Sequence, residues 1–285
     1  MAKTRNDSHF KRLVGICSIA ALLSILLFSC QTVPVTGRKQ LILLSAPEEN
    51  RMGITAYRQI LKEEKLSKDR QINDLVKRVG QRIARVADRP DFKWEFRVIE
   101  KDIANAFALP GGKVAVYTGI LKYTQTDDGL AVVMSHEVAH ALARHGGERV
   151  SRTMISQLGL TAVQVGLGSN DPVIMQGIAL AYGVGVDLPF NRAQESEADH
   201  IGLVLMAKAG YDPQEAIPFW QRMEGGKDGQ GPPEFLSTHP SGATRIAQIK
   251  EWLPEAMRHY RKAEGKQSQA NRSNKKNRKN KNQQQ

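Results

Sequence analysis

The chain has 285 residues, two cysteines and a formal net charge of +12, enough length for one core without covalent staples and too few cysteines for a disulfide framework. The charge sits at the ends: residues 1–29 carry +3 and residues 265–285 carry +7, leaving +2 for residues 30–264. A nearly neutral middle excludes a basic nucleic-acid-binding domain, and no nucleic-acid partner is expected.

Lys3, Arg5, Lys11 and Arg12 precede an apolar run at 13–28, shorter than the ~20 residues that span a bilayer. The run ends Leu27-Phe28-Ser29-Cys30, which reads as a lipoprotein processing site. Residues 1–29 are then a signal peptide, with Cys30 carrying the lipid that ties the chain to a membrane; the alternative is an uncleaved anchor. Cys17 would leave with the signal. Gln31 follows Cys30, and by resemblance to Gram-negative sorting this points to the outer membrane, facing the periplasm.

Residues 30–44 read as an extended linker with Pro34 and Gly37. Ser45 and Glu48 form a capping box that opens a helix to about residue 64. A second helix is predicted over 69–87, with Ile72, Leu75, Val76, Val79 and Ile83 at helical spacing. Phe92, Trp94, Phe96 and Val98 alternate, so 92–100 predicts a half-buried strand.

The richest stretch is His136-Glu137-Val138-Ala139-His140, on a helix predicted over 127–144 with Thr126 as N-cap. Histidines four apart point the same way, so both can grip one zinc ion from one turn. Glu137 beside them can take a proton from a water activated there. The bland alternative is a chance pattern on a buried helix, whose histidines would need other partners. His145 would face about 180° from His136 if that helix continued, and is excluded as a ligand. Gly146 stands where a metzincin pattern would need its third histidine.

Residues 153–186 contain two apolar stretches split by Ser169-Asn170-Asp171-Pro172 and interrupted by Gln157, Gln164 and Gln176. Each is too short to span a bilayer. The reading is a helical hairpin beside the cleft, a mobile lid; a membrane-dipping surface is the alternative. Glu195 and Asp199 follow on one face of a helix predicted over about 192–209. Glu195 can supply the third protein ligand and Asp199 can accept the free N–H of a ligating histidine; the alternative is a solvated acidic face. Asp212-Pro213 opens a helix bearing Phe219, Trp220 and Met223. Residues 241–264 read as helix interrupted near Pro254, closing a catalytic domain over 45–264. The tail, 265–285, has almost nothing apolar and predicts disorder. It either adheres to anionic lipid or solubilises the chain.

These blocks together resemble the gluzincin peptidases, and more fully peptidase family forty-eight, which includes bacterial lipoprotein proteases and the mitochondrial overlapping-activity peptidase type. The resemblance rests on Asn105-Ala106-Phe107-Ala108-Leu109-Pro110-Gly111-Gly112-Lys113-Val114, the HExxH box, the Glu195–Asp199 block, and Thr238-His239-Pro240 with Arg245. It implies an α+β fold: a mainly helical zincin-like domain with a small sheet beside the active-site helix. It implies one zinc per chain, held by His136, His140 and Glu195, with Glu137 as base. Asn105, Val114 and Val116 would line the substrate cleft, with 114–118 an edge strand onto which an extended peptide adds. His239 would stabilise an oxyanion or fill the fourth zinc position at rest, and Arg245 would stabilise the same negative charge. The implied function is zinc endopeptidase quality control of misfolded proteins in the bacterial envelope. The alternative is an outer-membrane chaperone or assembly factor, working with the assembly machinery, in which the zinc site is plugged and structural.

Overall fold

The computed structural model describes residues 30–167, 188–225, 234–239 and 244–282. The expected signal peptide, the Ser169–Pro172 split and the second apolar stretch lie outside the described residues. Among the described residues no helix is long and apolar enough to cross a membrane.

The segment expected as a free linker folds back on itself. β1 (Cys30–Thr32) pairs antiparallel with β2 (Lys39–Leu41), Cys30 opposite Leu41. Val33 N–H donates to Arg38 O at 2.9 Å, and Gly37 at φ +71° supplies the reversal that residues with a Cβ resist. α1 (Ala46–Glu63) opens on the expected capping box, Ser45 with Glu48. α2 (Arg70–Val86) is capped by the Asp69 carboxylate and buries Val76, Val79, Gly80 and Ile83 along one stripe. Gly80 lets this helix press on the Phe96 ring, which a Cβ would overlap at 2.4 Å.

Three strands form the second sheet: β3 (Glu95–Ile99), β4 (Ala106–Leu109) and β5 (Lys113–Tyr117). Their order is β3-β5-β4, with β5 parallel to β3 and antiparallel to β4. The expected edge strand is therefore central. Val114 and Val116 are fully buried and their backbone is paired on both sides, so neither can receive a substrate. A run apolar on both faces is what a central strand needs. The sheet edges are β3 and β4, and β4 packs against the helix that follows.

α3 (Leu121–Thr124) leads to α4 (Asp127–Leu142), capped by Thr126 as expected. Every residue of α4 from Gly129 on is buried, as for a helix enclosed on all sides. The chain breaks at Arg144, at φ +57°, and restarts as α5 (His145–Leu167). α6 (Leu188–Lys208) packs along α4. α7 (Ala216–Glu224) and the short α8 (Glu234–Thr238) follow. The last helix, α9 (Arg245–Asn282), runs through Pro254 without the expected interruption and through residues 265–282, where composition predicts disorder. Lys, Arg and Gln are good helix formers, and extending an existing helix needs no new nucleus.

α4 and α6 meet at Gly202, where a Cβ would lie 3.0 Å from His136 N and 3.1 Å from its Cα. Those are backbone atoms of a buried helix and cannot step aside singly. Gly202→Val is expected to cost about 1–3 kcal/mol through overpacking. The check is a lowered urea midpoint with an unchanged slope.

Candidate metal centre

α4 presents His136 and His140 from one turn, α6 presents Glu195, and His239 follows directly on α8. One donor atom from each of these four lies within 4.8 Å of all the others. His136 Nε2 is 3.1 Å from His140 Nε2 and 3.2 Å from Glu195 Oε2. His239 Nδ1 is 3.1 Å from Glu195 Oε2 and 3.3 Å from His136 Nε2.

The partners behind the rings decide where their protons sit. His136 Nδ1 lies 2.9 Å from Asp199 Oδ1, and a carboxylate only accepts, so Nδ1 donates. His145 Nε2 lies 3.0 Å from Glu197 Oε2 and donates likewise; its Nδ1 then accepts from His140 Nδ1 at 2.8 Å. In the neutral rings, the Nε2 lone pairs of His136 and His140 face each other beside a carboxylate. Such an arrangement is repulsive unless a positive charge lies between them. Its two imidazoles, carboxylate and further imidazole suit zinc.

The ionisation pattern without a metal shows the same demand. Burial alone would lower His136, but hydrogen bonds with Asp199 and Glu195 outweigh it and raise its pKa to about 10. Burial pulls His140 well below the usual imidazole value. Burial would raise Glu195, yet the three histidines around it hold it far below the usual carboxylate range. A proton on His136 thus does part of the work a cation would do.

Glu137 faces the other side of the cluster. Burial raises its pKa. The charges of His239 and His136 and the Ala108 backbone of β4 offset part of that rise, His239 Nε2 lies 3.3 Å from its Oε1, and that oxygen has no hydrogen-bond partner among the described residues. β4 therefore lies directly against the site. Asn105 precedes it, with Nδ2 3.4 Å from Glu234 Oε1, and Phe235 N–H donates to Ala104 O at 2.9 Å. This loop fastens α8 and so places His239.

Arg245 lies beside the cluster, where it holds carboxylates. Its Nε donates to Asp199 Oδ2 at 2.7 Å, its Nη2 lies 3.4 Å from Glu195 Oε2, and its guanidinium lies 3.8 Å over the Trp220 ring. Only 3% of it is exposed. It sits behind the carboxylates, paired with Asp199 and Glu195.

Sequence reasoning missed His145. The prediction assumed a continuous helix, and the break at Arg144 turns the ring back onto His140. The second glutamate of the Glu195-Ser196-Glu197 run was the available signal.

A buried HExxH helix with a downstream glutamate on a crossing helix defines a zincin metallopeptidase site of the gluzincin kind. The chain belongs to peptidase family M48, whose profile matches residues 70–253. It is 40% identical to the mitochondrial metalloendopeptidase OMA1 of Schizosaccharomyces pombe over 79% of this chain and 66% of that protein. The human metalloendopeptidase OMA1, mitochondrial, is 28% identical over 88% of this chain and 51% of its own length. The beta-barrel assembly-enhancing protease of Escherichia coli is 27% identical over 78% of this chain and 47% of its own. The chain thus spans about two thirds of the fission-yeast relative and about half of the other two. The family and the site together make it a zinc metalloendopeptidase by class.

These relatives correct the expected compartment and role. The higher identities belong to mitochondrial proteins and not to the bacterial one. A bacterial envelope protease, lipid-anchored through Cys30 in the outer membrane and serving the assembly machinery there, is not supported. A basic leader followed by an apolar run is a chemistry shared by several targeting signals and does not itself select a membrane.

Proposed function

We propose that the chain hydrolyses internal peptide bonds of protein substrates, with one zinc held by His136, His140 and Glu195. The observation that carries this is the pair of facing Nε2 lone pairs, 3.1 Å apart, beside the Glu195 carboxylate. Zinc bound there would supply Lewis acidity toward a peptide carbonyl and a water. Glu137 takes the proton from the attacking water and passes it to the leaving nitrogen. Asp199 fixes the tautomer and aim of His136, and Arg245 neutralises Asp199 from behind. An extended substrate lies along the free edge of β4, past Asn105. His239, already within the donor set, would be a further ligand to that zinc at rest and would have to give way for substrate to enter.

The test is casein degradation by the zinc-loaded protein. Cleavage that a chelator stops and added zinc restores is the expected result. Stoichiometric zinc without cleavage of any unfolded substrate would sink the endopeptidase reading.

A further inference from the structure

The amino-terminal hairpin reaches the metal centre from behind. Arg38, just before its returning strand, donates from Nε to Glu197 Oε2 at 2.8 Å. The same guanidinium grips Glu148 with two bonds, Nη1 to Oε1 at 2.8 Å and Nη2 to Oε2 at 2.7 Å. Thr36 donates its hydroxyl to Glu197 Oε1. Glu197 in turn accepts from His145, whose other nitrogen meets His140. Glu197, Glu148 and His145 are all buried, so each needs its partners.

The hairpin is held to α5 along one helical face. Arg144 bonds Gln31, Leu44 O and Glu49; Arg38 bonds Glu148; Leu43 N–H donates to Ser151 Oγ at 2.9 Å. Glu148 and Ser151 lie three apart on one face of α5, and Arg144 stands at the turn just before it. Arg38 and Thr36 precede the residues that the family profile matches.

We infer that the amino-terminal hairpin is a working part of the metal centre: Arg38 and Thr36 fix Glu197, Glu197 fixes His145, and His145 aims His140. The inference rests on the reading of His136, His140 and Glu195 as ligands. Arg38 and His145 are positioning residues, acting on the ion only through His140. A charge-assisted fork resists rotation of Glu197 far better than a single bond would. Without it, the His145 ring can turn, and His140 loses the acceptor that keeps its Nε2 bare.

The experiment measures zinc affinity of the full chain by competition with a chromophoric chelator. Arg38→Ala and His145→Ala are each expected to weaken zinc about 10–100-fold, the range for partners of metal ligands. The double variant is expected to bind no more weakly than His145→Ala alone, because both act on one relay. The visible spectrum of the cobalt-loaded protein should shift in both single variants. Wild-type affinity in Arg38→Ala, or losses that simply add, would overturn the inference. Should Arg38→Ala not fold without metal, Arg38→Lys decides the same question, since it keeps the charge and gives up the fork. A His140→Ala variant that still binds zinc like wild type would instead remove the ligand reading itself.

Discussion

Replacing Glu137 by Gln is expected to lower peptide turnover by at least about 10²–10⁴-fold, the usual contribution of a positioned general base. The amide matches the carboxylate in shape, so the packing around this buried residue is kept. It is neutral and cannot take up a proton at this pH, which removes the base. Glu137 is not among the four clustered donor residues, so zinc stoichiometry should be unchanged. Burial already raises its pKa, which moves a carboxylate toward the strength a base needs near neutral pH. The comparison is single-turnover cleavage by wild type and variant at equal zinc content. Turnover within tenfold of wild type would assign the proton transfer to another group, and His239, 3.3 Å away, is the one in reach.

The second large effect concerns stability. Arg245→Ala takes from Asp199 and Glu195 one of their two buried cations, protonated His136 being the other in the metal-free protein. Stripping one partner from a buried ion pair costs about 3–5 kcal/mol, since the remaining charge stays desolvated. Contact with the Trp220 face is lost in addition. Urea unfolding of the metal-free protein is the measurement, which keeps the effect separate from any change in zinc binding. A loss below about 1 kcal/mol, as for a surface pair, would mean that water reaches the carboxylates. Arg245→Lys is expected to fall between, because an ammonium supplies charge without the fork.

The helices were legible because their cues are local. The Ser45–Glu48 box, the Thr126 cap and the stripe Val76, Val79, Ile83 each depend on neighbours within a few residues. The spacing of His136 and His140 carried the site for the same reason. Strand order was not legible. Val114 and Val116 lie in a strand buried on both faces, and nothing local says whether that strand is paired once or twice. Arg245 shows another limit: its charge could be read, but which carboxylate it meets depends on how α9 crosses α6. His145 is not among the clustered donors, as expected, but its contact with His140 was hidden, since helical phase ends where the helix does.

That helix end has a consequence for how the chain can vary. At Arg144 the backbone takes a left-handed turn, which an L-residue with a Cβ adopts at some cost. The bonds of its side chain to Glu49, Leu44 O and Gln31 offset that cost. Glycine at 144 would relax the turn and release those bonds, leaving the direction of the following helix unchanged. An inserted or deleted residue between Leu142 and His145 would instead change the length of the turn that aims α5, carrying His145, Glu148 and Ser151 away together. The junction is therefore intolerant of length and comparatively forgiving of identity, the opposite of an ordinary surface connection.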